Sequence, residues 1–418
     1  MVAESQSEES RRADRLCQRN LLSGMRPIVR DAALVVSGVL LSGIVSWLRE
    51  VRRRRLANAA PTKVIQVVGD IYLDMIAKVD ELPHWDGDTD NQPIETTAGG
   101  SALNTAVQLS TLCTTRRAAH RCELHSLIGE DLYGDLVKRM LDDAGVTRRG
   151  PSVGRQGVCI CLSGKRDRAF VSYKGSVGEL SAADIDERAL LAPGTSHLHF
   201  SAYFDCAALQ PSVPRLMERA KVERGATISV VPQTDPAGEW GSGFLELLPN
   251  VDVLICNQRE AAAIAGVPFG GDRRPTWAQT DAAVRRLQRA GAPLVVVTLG
   301  PEGAIAVSGT KWWYQPNAPL PVTDATGCGD AFAAGFLFGW CGSRDVRRGL
   351  VYGCACGSAA VGQVGGSTPL DPTEVDLGMR RNSGAEDIWQ SPTDRVPFAD
   401  LTRVATTGGA AIPDVRKR

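Results

Sequence analysis

The sequence predicts an α/β protein built on a mostly parallel central sheet, and three observations carry that expectation. Short β-branched runs recur at 64–70, 158–162, 197–200, 227–231, 253–255 and 294–298, each with the length and texture of a buried strand. Stretches of helical length, 131–144 and 280–290 among them, lie between several of these runs, and strand alternating with helix is the pattern of βαβ units. Composition agrees. Of 418 residues, 43% are hydrophobic and 22% charged, which excludes wholesale disorder and a coiled-coil rod.

Taken in order, the chain opens on an Arg-rich extension, 1–62. Its first 60 residues hold eleven Arg against six acidic groups, a net charge of +5. The complete chain balances 47 basic with 47 acidic residues, so the rest carries −5. A polyanion-binding protein usually shows a clear basic excess, so no nucleic acid partner is expected. Within the extension, residues 32–48 form seventeen positions without a charge, followed by Arg49 and then Arg52 to Arg55. Seventeen is at the short limit for a bilayer span. The segment reads first as a membrane anchor, with an organelle-targeting presequence and a soluble helix as alternatives. The denser positive charge on its C-terminal side would keep the catalytic body cytosolic. A presequence would place the body in an organelle, and a soluble helix would leave it cytoplasmic. The expected body runs 63–376, and the polar stretch 377–418 reads as a loose tail. The eleven Cys include no C-x-x-C, and buried free thiols are the expectation. His197 and His199 share a strand face and read as a packed pair rather than metal ligands.

Three motifs carry chemistry. In Asp324-Ala-Thr-Gly-Cys-Gly-Asp330, Gly327 and Gly329 permit a tight turn that feeds a helix starting near Ala331. Such a turn offers free amides and the positive end of a helix dipole, which suits a phosphate. Asp330, where loop becomes helix, is placed either to cap that helix or to accept a proton from a hydroxyl attacking the phosphate. Gly99 and Gly100 precede a second helix with Asn104 on its first turn, where its amide can bind hydroxyls. Asp74 follows the first strand, at the edge where ligands bind in open α/β sheets.

Together these motifs resemble the PfkB (ribokinase-like) family of carbohydrate kinases, over about 64–376. Further matches are Asn257 and Glu260 in an Asn-x-x-Glu element; Ile128, Gly129, Asp131 and Gly134; and Thr298, Leu299, Gly300 and Gly303. The resemblance implies a three-layer αβα ribokinase-like fold with a small β-lid, the lid including about 157–175. It implies ATP-dependent phosphorylation of a hydroxymethyl group of a small sugar. A nucleoside or keto-sugar-acid kinase, or a non-catalytic membrane-tethered relative, are the alternatives.

The resemblance also implies roles. Asp330 would be the general base, and the amides of Thr326, Gly327, Cys328 and Gly329 the anion hole. Asp74, Gly99, Gly100 and Asn104 would hold the sugar. Asn257, Thr298, Gly300 and Gly303 would line the ATP side, and Glu260 with Asn257 would position Mg²⁺ indirectly. Asp324, with Thr326 and the loop 365–367, would hold a monovalent cation such as K⁺. Asp167 and Arg168 of the lid would reach over the sugar, and the lid would support a homodimer. Three departures weaken ribose as the substrate: Tyr72 before Asp74, no basic residue in the Gly-Gly motif, and Cys328 between the signature glycines.

Overall fold

The computed structural model describes residues 63–383, apart from 83, 87–92, 164–167, 242, 271–273 and 318–320. The chain divides into two units at Pro61/Thr62, and all described residues belong to the second. The apolar segment 32–48 therefore lies outside the described residues, as do Asp167 and the greater part of 377–418. Among the described residues, no helix is long and apolar enough to cross a membrane.

The main sheet has nine strands. In chain order they are β1 (Lys63–Val68), β4 (His120–His125), β5 (Arg148–Arg149), β8 (Thr195–Ser201), β9 (Thr227–Val231), β10 (Val253–Asn257), β11 (Val295–Thr298), β12 (Ala304–Ser308) and β13 (Lys311–Gln315). Their spatial order is β13-β12-β11-β10-β9-β8-β1-β4-β5. The pairs from β5 through β11 are parallel, and β12 and β13 add antiparallel at one edge.

Alternate side chains on a strand point to opposite faces. Ile65 and Val67, Val253 and Ile255 thus belong to one apolar cluster, whereas Val68, Leu254 and Cys256 belong to another. These are the two cores of a three-layer sandwich. The first is closed by helices α1 (Ser101–Thr115), α2 (Leu132–Asp143), α6 (Cys328–Ser343), α7 (Val346–Ala360) and α8 (Pro372–Ser383). The second is closed by α3 (Val213–Arg224), α4 (Gln258–Ile264) and α5 (Trp277–Arg289). Helix α6 is apolar nearly all round, as a helix buried between layers must be.

A second sheet of four strands forms the lid, in the order β3-β2-β6-β7, from β2 (Tyr72–Lys78), β3 (Glu95–Gly99), β6 (Gly157–Ser163) and β7 (Arg168–Tyr173). Its β6 and β7 coincide with the stretch expected to form the lid. Asp74, expected to follow the first strand at the sheet edge, lies in the middle of lid strand β2, opposite Thr97 and Cys159. The tight turn at Gly69 allows the chain to pass from one sheet to the other. A Cβ there would come within 2.4 Å of the Ser201 carbonyl.

The ordered body also reaches past the expected limit at Asp376. Val375 is buried in the first core, and Gln315 donates to the carbonyl of Asn382, so α8 is packed to its last turn. His197 and His199 are buried and share Ser229: His197 Nε2 and His199 Nδ1 lie 2.7 and 2.6 Å from its hydroxyl.

Candidate active site

The C-terminal ends of β1, β8, β9, β10 and β11 lie along one edge of the sheet. The chain leaves them at Gly69, Ser201, Gln233, Asn257 and Thr298. Two helices start against that edge. Helix α1 begins after Gly100, whose φ of 104° and whose approach to the Asp70 carbonyl leave no room for a Cβ. Helix α6 begins after Gly327, at φ 73°, with no side chain capping it. A Cβ on Gly327 would stand 2.3 Å from the Cα of Gly366, so the turn rests directly on that loop. First-turn amides of an uncapped helix have no intrahelical acceptor and face outward.

Asp330, on the first turn of α6, stands between the two helices. It is 7% exposed. Its Oδ1 accepts the hydroxyl of Ser101 at 2.6 Å and the Gln233 amide at 3.2 Å; its Oδ2 accepts the Asn104 amide at 2.8 Å. Burial raises its carboxyl to about 6, while the bonds from Ser101 and Asn104 hold it down. Asn104 thus points its Nδ2 at the carboxylate, and its Oδ1 is buried without a partner.

Three further carboxyls are raised around it. Asp74 rises to about 7 through burial, then through the charges of Asp330 and Asp324. Gly99 makes room for it, since a Cβ there would fall 1.9 Å from Asp74 Oδ2. Asp70 also rises to about 7, chiefly by burial, although it accepts the amides of Ser101 and Ala102 at 2.9 and 2.8 Å. Glu260 reaches about 7 for the same first reason.

A cleft of about 710 Å³ opens on the other side of Asp330. It is lined by Asn257, Glu260, Thr298, Gly300 and the turn Gly327 to Gly329. The structure brings most of the expected residues to one place, with two adjustments. The amide of Thr326 is turned onto Asp324 Oδ1 at 2.9 Å and that of Cys328 onto the Ala325 carbonyl at 3.4 Å, which leaves the amides of Gly327 and Gly329 beside the cleft. Gly303 is not among the residues lining the cleft. It closes the turn between β11 and β12 at φ 107°, where a Cβ would meet the Gln315 carbonyl at 2.0 Å.

Asn257 and Glu260 form a capping box at the start of α4. The Asn257 side chain accepts the Glu260 amide at 2.9 Å, and Glu260 accepts the Asn257 amide at 3.0 Å. The spacing is that of a helix start as well as of a motif. Asp324 does meet Thr326 and Gly365. Its Oδ1 accepts the Thr326 hydroxyl at 2.7 Å, and its Oδ2 the Gly365 amide at 3.2 Å.

Sequence reasoning passed over Ser101, Gln233, Arg259 and Arg274. The two arginines line the cleft, and the Arg274 guanidinium lies over the Gly300 turn. Gln233 had one signal, its place just beyond a predicted strand. Ser101 read only as the residue after two glycines.

Comparison with known proteins gives the family and the fold. The profile of the pfkB family carbohydrate kinases matches residues 62–374. An ATP-dependent ribose-1-phosphate kinase of Halopiger xanaduensis is 29% identical over 302 residues, covering 71% of this chain and 91% of that protein. A fructoselysine 6-kinase of Escherichia coli is 27% identical over 276 residues, covering 63% and 89%. A solved ribokinase from Giardia lamblia superposes with a TM-score of 0.66 at 17% identity, covering 77% of this chain and 99% of that one. At that identity the likeness concerns the fold.

Proposed function

The chain belongs to the pfkB family of carbohydrate kinases, and on that premise we propose that it transfers the γ-phosphoryl group of ATP to a hydroxymethyl oxygen of a small sugar. The observation that carries the reading is the position of Asp330. A buried carboxylate stands where the outward amides of the α6 turn meet the carboxylates of the lid and of the β1 edge, with a cleft of nucleotide size beyond it. In the proposed reaction the sugar oxygen attacks the γ-phosphorus, the bond to ADP breaks, and Asp330 takes up the hydroxyl proton. The amides of Gly327 and Gly329 face the charge that develops on the transferred group. Asp74 and Asn104 orient the sugar, with Gly99 and Gly100 leaving it space.

ATP would lie along Asn257, Thr298 and Gly300, with Arg259 and Arg274 balancing a cleft whose other charged side chains are the carboxylates of Glu260 and Asp330. Asn257 and Glu260 are locked to each other and Glu260 is 6% exposed, which suits contact with Mg²⁺ through water. When bound, Mg²⁺ neutralises charge on the β- and γ-phosphates. A K⁺ beside Asp324 would steady the turn through Thr326 and the Gly365 loop. Activity should then rise when K⁺ replaces a large organic cation at constant ionic strength, and a flat response removes that ion from the mechanism.

The decisive experiment is a phosphorylation screen with ATP–Mg²⁺. The panel should span pentoses, hexoses, keto-sugars, keto-sugar acids and nucleosides, with ribose 1-phosphate and fructoselysine added from the relatives' activities. Turnover of a free sugar supports the reading. Turnover of nucleosides alone replaces its substrate, and no turnover at all leaves a family member without the activity.

A further inference from the structure

Ser101 and Gln233 were not expected in the site, yet they make two of the three side-chain bonds to Asp330. The hydroxyl of Ser101 has one proton to give and two lone pairs to fill. Gln233 Nε2 lies 2.8 Å from it and can only donate. Ser201 Oγ lies 2.7 Å away and Asp330 Oδ1 2.6 Å. An ionised carboxylate only accepts, so the Ser101 proton goes to Asp330, and Ser201 supplies the second donor to Ser101. All three bonds of the hydroxyl are then assigned, with a single direction left for its proton. Its backbone is fixed too, because the amides of Ser101 and Ala102 both donate to Asp70. Ser101 and Ser201 are 6% and 2% exposed, so water does not compete.

We propose that Ser101, fixed by Ser201 and Gln233, is a positioning residue for the proposed phosphoryl transfer: it aims the Asp330 carboxylate and keeps it ionised for proton uptake. The inference rests on Asp330 being the base of that reaction. The burial of Asp330 makes such a device necessary. Asp70 at the β1 edge, Asp74 on lid strand β2 and Glu260 on α4 are each raised by its charge, and Asp74 by that of Asp324 as well. Burial favours a protonated Asp330, which could not accept a proton. Donors from Ser101, Asn104 and Gln233 oppose it.

The test compares wild type with Ser101→Ala and Gln233→Met. Loss of one hydrogen bond to a charged group should move the acidic limb of kcat/KM upward by about one pH unit. In Ser101→Ala, kcat should fall about threefold at pH 6.5 and approach a tenfold loss below about pH 5.5, while the sugar KM stays within about twofold, since the loss falls on proton uptake. Gln233→Met should shift the limb in the same direction, which keeps the test open if Ser101→Ala folds poorly. Independently of turnover, carbon-13 NMR of the Asp330 carboxyl, assigned with Asp330→Asn, should show a raised midpoint in both variants. Unmoved midpoints overturn the proposal. If wild type phosphorylates nothing in the screen, the functional reading fails, and the carboxyl titration still decides whether Ser101 governs Asp330.

Discussion

Asp330 combines burial with three donors, and both terms enter what its loss should do. Asp330→Asn keeps the size of the side chain but removes the proton acceptor. Turnover should fall by about 10²–10⁴, the range for a lost general base. An unchanged melting temperature would show that the loss is chemical, and near-normal turnover in purified Asp330→Asn would remove the role. With the carboxyl raised to about 6, the base is ionised above that value and protonated below it. Wild-type kcat/KM should therefore decline as pH drops through about 6. Asp74 lies on the lid side of Asp330, away from the nucleotide cleft, so Asp74→Ala should weaken sugar binding far more than ATP binding. Calorimetry with each ligand checks this, and equal losses would refute the assignment. These two residues were visible in the sequence because short motifs fix them near helix starts and strand ends. Ser101 and Gln233 were not, because they are 132 positions apart and meet only once β9, β8 and β1 lie side by side.

The parallel strands were legible as elements because a strand buried on both faces is apolar throughout, as in Val295–Thr298. β4, His120–His125, was missed. Two of its polar residues are buried with partners, Glu123 with the exposed Arg121 and Arg149, and His125 with Gln66. The lid strand β2 was also missed, because Tyr72–Lys78 continues the apolar texture of β1 and only the turn at Gly69 separates them. The start of α4 shows a motif with two meanings. Asn257 and Glu260 match a kinase element, and they also cap each other. Asn257→Ala removes the acceptor of the Glu260 amide and should cost about 1 kcal/mol of stability, the usual worth of an N-cap. Chemical denaturation measures that directly. If the midpoint does not move while the Mg²⁺ requirement rises, the capping is incidental and the residue serves the metal alone.

The two apolar cores on either side of the main sheet share an unusual ingredient, and their combined titration sets a limit on the fold. Cys113, Cys122, Cys341, Cys354 and Cys356 are packed in the first core, and Cys206 and Cys256 in the second. All are free thiols. Burial pushes every one of them up: Cys113 to about 11, Cys341 and Cys356 to about 12, and the other four further or by direction alone. The unfolded chain releases thiol protons near about 8.5, whereas the folded chain keeps them. Below that pH both states hold the proton and nothing is lost. Above it the unfolded state binds fewer protons, so stability falls by about 1.4 kcal/mol per pH unit for each thiol. Seven thiols at pH 9.5 amount to about 10 kcal/mol, comparable with the roughly 5–15 kcal/mol that holds an ordinary domain together. The acid side has no such clean sign. Buried His125 and His199, lowered to about 4 and 3, lose stability as pH falls below about 6.5, while the raised carboxyls of Asp70, Asp74 and Glu260 gain it over much of the same interval. The alkaline limb is therefore the discriminating one. Thermal unfolding under a non-thiol reductant should be nearly level from pH 7 to 8 and then drop steeply between pH 9 and 10. Replacing Cys354 and Cys356 together by Ala should soften the slope even as it lowers stability at pH 7.5. A melting temperature that stays level from pH 8 to 10 would mean that these thiols ionise in the folded state as readily as in water, and that the two cores are not closed around them.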